Sequence, residues 1–302
     1  MVKNWSVFLW YNQGMFLNEI YSKSTPVISY EIFPPKNDET GEKLANLYSE
    51  LEKLKKYNPN LVSVTYGAGG SNRNQSLDIV AHIKNSLELN VMPHFTCVCS
   101  KKEDIEKYLK EIEKFDIKNI LALKGDEPQD ITVCYRDFRY ANELVDFIKS
   151  ETSLSIAVAG YPEGHIDAPN LDTDILNLKR KILAGGEVIF TQMCFDNDKF
   201  FSYVEKLKRQ NIEVPIAFGV LPILSYKQFS KMMEMAKVSI PKNLLEGIDK
   251  YKDNPDDIKK LSIDFASEQC QQLLESELVS GLHFYTLNKA FSTSKILDNL
   301  NL

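Results

Sequence analysis

A chain of 302 residues, 43% hydrophobic and 26% charged, fits one large globular domain or two small ones and is long enough to bury a sizeable core. Its net charge of -6 with scattered lysines offers no basic stripe for nucleic acid, and no apolar run is long enough to cross a bilayer. The five cysteines are odd in number and unevenly spaced, which excludes a regular disulfide frame and predicts free thiols in a reducing, cytoplasmic setting with no bound metal.

The opening residues carry Trp5, Phe8, Leu9 and Trp10, but Asn12, Gln13 and the lack of a small-residue cleavage site argue against a secretory leader. Residues 1–14 are expected to be a loosely attached extension, and residues 1–26 together a lead-in to a single domain over 27–302. From Val27 onward, short apolar runs alternate with longer amphipathic ones. The runs span 27–33, 61–67, 91–98, 119–125, 155–161, 188–195, 215–221 and 281–287. Helical periodicity is read over 41–57, 104–115, 140–150, 174–184, 199–210 and 225–236, with extra helices at 241–251 and 255–278 before the last strand. Strand then helix, eight times, predicts an α/β fold of the closed (β/α)8 TIM barrel type, with a doubly wound open sheet as the competing arrangement.

In such barrels the chemistry gathers at the carboxyl ends of the strands. The residues there are Glu31, Thr65, Tyr66, His94, Thr96, Lys124, Asp126, Tyr161, His165, Gln192, Tyr285 and Asn288. Each has a structural alternative: Glu31 as a rim ion pair, His94 as a hydrogen-bonded core histidine, Gln192 as a cap on a neighbouring strand. The stretch Asn119–Pro128 typifies the pattern. An apolar strand runs into Lys124, Gly125 and Asp126, where the glycine admits close approach of the backbone and the flanking charges are opposite.

Eight segments in order resemble the methylenetetrahydrofolate reductase family: 29–36, 62–68, 93–97, 123–126, 161–165, 176–181, 191–192 and 283–288. The resemblance implies a barrel that binds FAD, takes electrons from NADH or NADPH, and reduces 5,10-methylenetetrahydrofolate. It assigns Glu31 as general acid and Asp126 as the carboxylate facing the cationic folate intermediate. An acid of this kind must hold its proton near neutral pH, and burial beside an apolar flavin favours the neutral form. The implied cofactor contacts are Thr65, Tyr66, Ala68, His94, Lys124, Gly125, Asp126, Ala141, Tyr161, His165, Asp174, Asn177, Arg180 and Lys181. The implied folate contacts are Asp126, Gln192, Gln228, Tyr285 and Lys289. Lys124 and Lys289 stand where relatives often carry Arg, and Met232 where an aromatic often sits. Relatives are commonly homo-oligomers, and an electron-transfer partner subunit is an alternative source of electrons. A folate-binding barrel methyltransferase and a flavin-free reductase remain as other readings.

Overall fold

The computed structural model describes residues 14–22, 26–36, 38–66, 73–126, 137–236 and 238–302. Eight parallel strands run β1 (Val27–Ile32), β2 (Leu61–Val64), β3 (Val91–Thr96), β4 (Asn119–Leu123), β5 (Ser155–Gly160), β6 (Gly186–Met193), β7 (Ile216–Val220) and β8 (Gly281–Tyr285). Each pairs with the next, and β8 returns to β1 with Ser29 opposite His283 and Glu31 opposite Tyr285, closing the barrel. The open-sheet alternative is thereby excluded.

Eleven helices are present among the described residues. Those wrapping the barrel are α2 (Glu42–Lys55), α3 (Arg73–Asn85), α4 (Lys102–Lys114), α5 (Ala141–Glu151), α6 (Leu171–Leu183), α7 (Asn197–Arg209), α8 (Tyr226–Ala236) and α11 (Phe291–Leu300). The long connection before β8 also holds α9 (Lys242–Lys250) and α10 (Pro255–Glu275), both of them legible in the sequence. Their composition explains why they form where they do. In α4 the buried residues Ile105, Tyr108, Leu109 and Ile112 recur at helical spacing. Asn170, Asp196 and Asn254 accept backbone N–H groups at the starts of α6, α7 and α10.

The core has two shells. Outward-facing residues of the strands, such as Tyr30, Val62, Phe95 and Ile156, pack against the helices. Inward-facing ones, including Val27, Leu61, Met92, Leu121, Ala157 and Val188, fill the barrel's amino-terminal half. There they meet α1 (Leu17–Tyr21), whose Leu17, Ile20 and Tyr21 are buried beneath them. Five residues are too few for a stable isolated helix, so packing makes this one, each buried apolar side chain contributing about 2 kcal/mol. Asn119, the one polar residue of β4, donates to the Met15 carbonyl at 2.9 Å and ties α1's approach to the barrel. The part of the lead-in just before the first strand is therefore built into the floor. With that end filled, the interior opens only toward the carboxyl ends of the strands.

Candidate active site

Side chains alternate along β1, so Ser29 and Glu31 face inward while Tyr30 and Ile32 join the outer shell. Glu31 and the carboxyl ends of the other strands line a cavity of about 870 Å3. Thr65, His94, Asp126, Tyr161, His165, Gln192, Gln228 and Tyr285 share it, over a floor and walls that include Leu121, Leu123, Ala159 and Phe190. Residues from Glu31 near the start of the barrel to Leu287 near its end thus converge on one hollow.

Two imidazoles flank the Glu31 carboxylate. His94 Nε2 lies 3.6 Å and His283 Nε2 3.9 Å from Glu31 Oε2. Burial pushes the His94 pKa down to about 4, against a smaller opposing pull from Glu31, so the ring is neutral near pH 7. Its Nε2 is buried with no hydrogen-bond partner, so it remains available to a ligand. His283 is held from behind by Ser29 Oγ, 2.8 Å from its Nδ1. The sequence reading left His283 out, although it stands in the same segment as Tyr285. Only the register opposite Ser29 reveals which face it occupies.

The His94 environment carries a prediction. Its folded pKa lies below the ordinary value near 6.5, so between pH 6.5 and 4 the unfolded chain takes up a proton that the folded one refuses. Stability should fall on acidification through that window, by at most about 3 kcal/mol from this group. Urea unfolding at pH 6.5 and 4.5 should show a smaller acid loss in His94→Gln than in the parent; equal losses would contradict the assignment.

Several candidates are fixed by contacts that narrow their roles. The Gln192 Oε1 accepts the Met193 N–H at 3.0 Å and the Gln228 Oε1 accepts the Leu224 N–H at 2.6 Å. Both amides therefore offer N–H groups to the cavity. The Tyr285 hydroxyl donates to the Thr191 carbonyl at 2.7 Å, and burial raises its pKa. Glu163, also on the cavity wall, accepts from Ser239 N at 3.0 Å and from Lys199 at 2.7 Å, joining the loop after β5 to the segment after α8.

Other candidates lie apart from this cavity. Lys124 pairs with Asp167 at 3.1 Å in a neighbouring depression lined by Asp137, Phe138, Arg139, Tyr140 and Glu143, beside Ala141 at the start of α5. This contact holds the Asp167 carboxyl below its usual range. Lys181 is half-buried behind the wall, donating to the Ala159 carbonyl with its ammonium 5.8 Å from the Tyr161 ring centre. Burial lowers its pKa to about 8, partly offset by Asp174, whose own pKa burial raises. Arg180 donates to Asn177 at 2.9 Å on the exposed side of α6. Tyr66 turns toward the outer shell, its ring centre 4.9 Å from Phe95 and 5.4 Å from Tyr108. Thr96 lies against Gly125, and Asn288 bridges to both backbone groups of Phe33. Lys289 lies near Glu50, which accepts the Ala290 N–H, and is not among the residues lining the cavity. Ala68 lies outside the described residues.

The cysteines need one correction. Cys97, Cys194 and Cys270 are free and buried, but Cys99 is disulfide-bonded. Cys99 follows β3 in a turn with φ of 52°. Among the described residues no cluster of His, Cys, Asp and Glu could hold a metal ion, and no helix is long and apolar enough to cross a membrane.

The fold and cavity define a class: a (β/α)8 barrel with carboxylates, amides and imidazoles gathered over an apolar floor at the carboxyl ends of its strands. Within that class, the family model for methylenetetrahydrofolate reductase matches residues 16–301, and the chain belongs to that family. A 5,10-methylenetetrahydrofolate reductase of Escherichia coli is 33% identical over 275 residues, covering 91% of this chain and 90% of the relative. An NADH-named methylenetetrahydrofolate reductase of Arabidopsis thaliana is 35% identical over 300 residues, or 95% of this chain. The chain spans about half the length of that plant relative and of a similar one from Saccharomyces cerevisiae. Among solved structures, a Clostridium thermocellum protein described as binding two copies of 5-methyl-5,6,7,8-tetrahydrofolic acid superposes with a TM-score of 0.66. At 18% identity, with 93% of this chain and 96% of that one covered, this likeness shows a shared fold.

Proposed function

We propose that the protein reduces 5,10-methylenetetrahydrofolate to 5-methyltetrahydrofolate with electrons from NADH or NADPH, using FAD as the bound carrier. The observation that carries this reading is that Glu31, Asp126 and Gln192 line one cavity in a chain of this family. The residues present suit a flavin. An apolar floor of Leu121, Leu123 and Ala159 fits a flat tricyclic ring, and the unpartnered His94 Nε2 fits a polar edge of that ring. Thr65, His94, Tyr161 and His165 would hold the ring end, while Lys124 and Arg139 in the adjoining depression suit anionic phosphates. FAD, when bound, supplies two-electron transfer between the nicotinamide and the folate.

The chain's own residues supply the rest. The methylene bridge of the folate reacts only after its ring opens to an iminium cation, which requires a proton on the departing nitrogen. Glu31 is the proton donor, sheltered between two imidazoles of which His94 is neutral. Asp126, at the rim of the same cavity, stabilises the cation by fixed opposite charge. Gln192, its oxygen already occupied, donates to the acceptor edge of the pterin.

The test is anaerobic stopped-flow on the full chain, following flavin bleaching by NADH and by NADPH and then re-oxidation by methylenetetrahydrofolate. Bleaching by a nicotinamide followed by folate-dependent re-oxidation is expected. A colourless protein that takes up no added FAD yet binds folate would overturn the reading in favour of a barrel methyltransferase.

A further inference from the structure

Of the acids that line the cavity, Glu31 and Asp126 are assigned to the chemistry and Glu163 is not. Its side chain is only 14% exposed, and both of its oxygens are engaged within the protein. Oε1 accepts the Ser239 backbone N–H at 3.0 Å, while Oε2 accepts the Ser239 hydroxyl at 2.6 Å and the Lys199 ammonium at 2.7 Å. These contacts join the loop after β5, the first turn of α7 and the segment after α8.

Two of those connections carry residues of the cavity. The loop after β5 holds Tyr161 and His165, whose rings meet edge to face with centres 4.6 Å apart. A turn closed by the Gly164 N–H on the Tyr161 carbonyl at 2.9 Å, with Gly164 at φ of 88°, lets those rings meet while Glu163 reaches Ser239. On the other side α8 carries Gln228, whose amide N–H groups face the cavity. The approach to α8 is tied to α10 by the Ile223 N–H on Ser262 Oγ at 2.7 Å. Along its length the helix is held by apolar contacts, with Phe229, Met232 and Val238 buried in one cluster with Leu221 and Leu244. Such burial is non-directional, so it presses α8 on the barrel without fixing where along the wall it sits. The bond from Ser239 to Glu163 is directional and lies just past the far end of the helix.

We propose that Glu163 is a positioning residue for the folate step: by accepting the Ser239 N–H it latches the end of α8 to the loop that carries Tyr161 and His165, and so sets the width of the cavity between them. Its oxygens are occupied by the latch, so it acts through α8 and not on the reacting atoms. The inference rests on the folate reading above and adds to it what holds the substrate-side helix at its working distance.

The test compares the full-length parent with Glu163→Met, which fills similar space without an acceptor, and Glu163→Gln, which keeps an oxygen for the Ser239 N–H. Anaerobic stopped-flow over a series of methylenetetrahydrofolate concentrations separates the folate dissociation constant from the limiting rate of flavin re-oxidation. Hydrogen exchange over α8 and Ser239, without added folate, reads the latch itself. Glu163→Met should raise the dissociation constant about tenfold and leave the limiting rate within about twofold, since Glu31 and Asp126 stand on β1 and after β4, away from the latch. Its exchange over α8 and Ser239 should be about tenfold faster than in the parent. In Glu163→Gln the Lys199 side chain, already 44% exposed, can turn to solvent, and both quantities should stay within about threefold of the parent. An unchanged dissociation constant in Glu163→Met, even with a lowered Tm, overturns the latch and leaves the folate reading intact. So does a glutamine variant as weak as the methionine one. A parent whose flavin bleaches but is not re-oxidised by folate removes the folate reading and with it this role.

Discussion

Replacing Glu31 with Gln should slow folate-dependent re-oxidation of the flavin about a thousandfold, while reduction of the flavin by the nicotinamide stays within about twofold of the parent. The substitution keeps the size of the side chain and its place between His94 and His283. In the proposed reaction it removes the acidic proton that the folate step alone consumes, so the two half-reactions should separate. The neighbouring imidazoles are poor substitutes. Burial keeps His94 neutral near pH 7, and a neutral imidazole is a far weaker acid than a protonated carboxyl group. Single-turnover measurement of each half-reaction decides the matter. Loss of both to the same degree would indicate a collapsed site, and retention of both would remove Glu31 from the role of acid.

The second large effect is structural. Gly125 has φ of 83° and its backbone presses so closely on β3's end that an added Cβ would lie 2.7 Å from both Thr96 Cβ and Val98 Cγ1. Gly125→Ala therefore combines an unfavourable backbone conformation with overlap against a buried wall, at a cost of about 3 kcal/mol. In a chain of this length that corresponds to a fall in Tm of about 6 °C. Gly41 is the control, with φ of 75° but nothing within 4 Å of an added Cβ. Gly41→Ala should cost only the conformational part, about 1 kcal/mol. Thermal melts of the two variants compare the contributions, and equal destabilisation would show that contact with Thr96 and Val98 is unimportant. Because Asp126 follows directly, the Gly125 variant should also weaken folate binding.

Much of this architecture could be read from the residues in order. Apolar runs too short for helices, separated by segments with helical spacing, determined the strand and helix alternation, because buried parallel strands are apolar on both faces and barrel helices on one. The polar residues that end those runs identified Glu31, Thr65, His94, Asp126, Tyr161, His165, Gln192 and Tyr285, and all of them line one cavity. What the sequence could not supply was direction. Tyr66 ends its run as Thr65 does, yet it packs outward on Phe95, because each step along an extended chain reverses the side chain. His283 became part of the site only when β8 closed onto β1 and set it opposite Ser29. The short α1 has no stability of its own, so its presence depends on the barrel floor that receives it. Local composition determined which elements form, but closure of the barrel over long sequence separations decided which side chains meet.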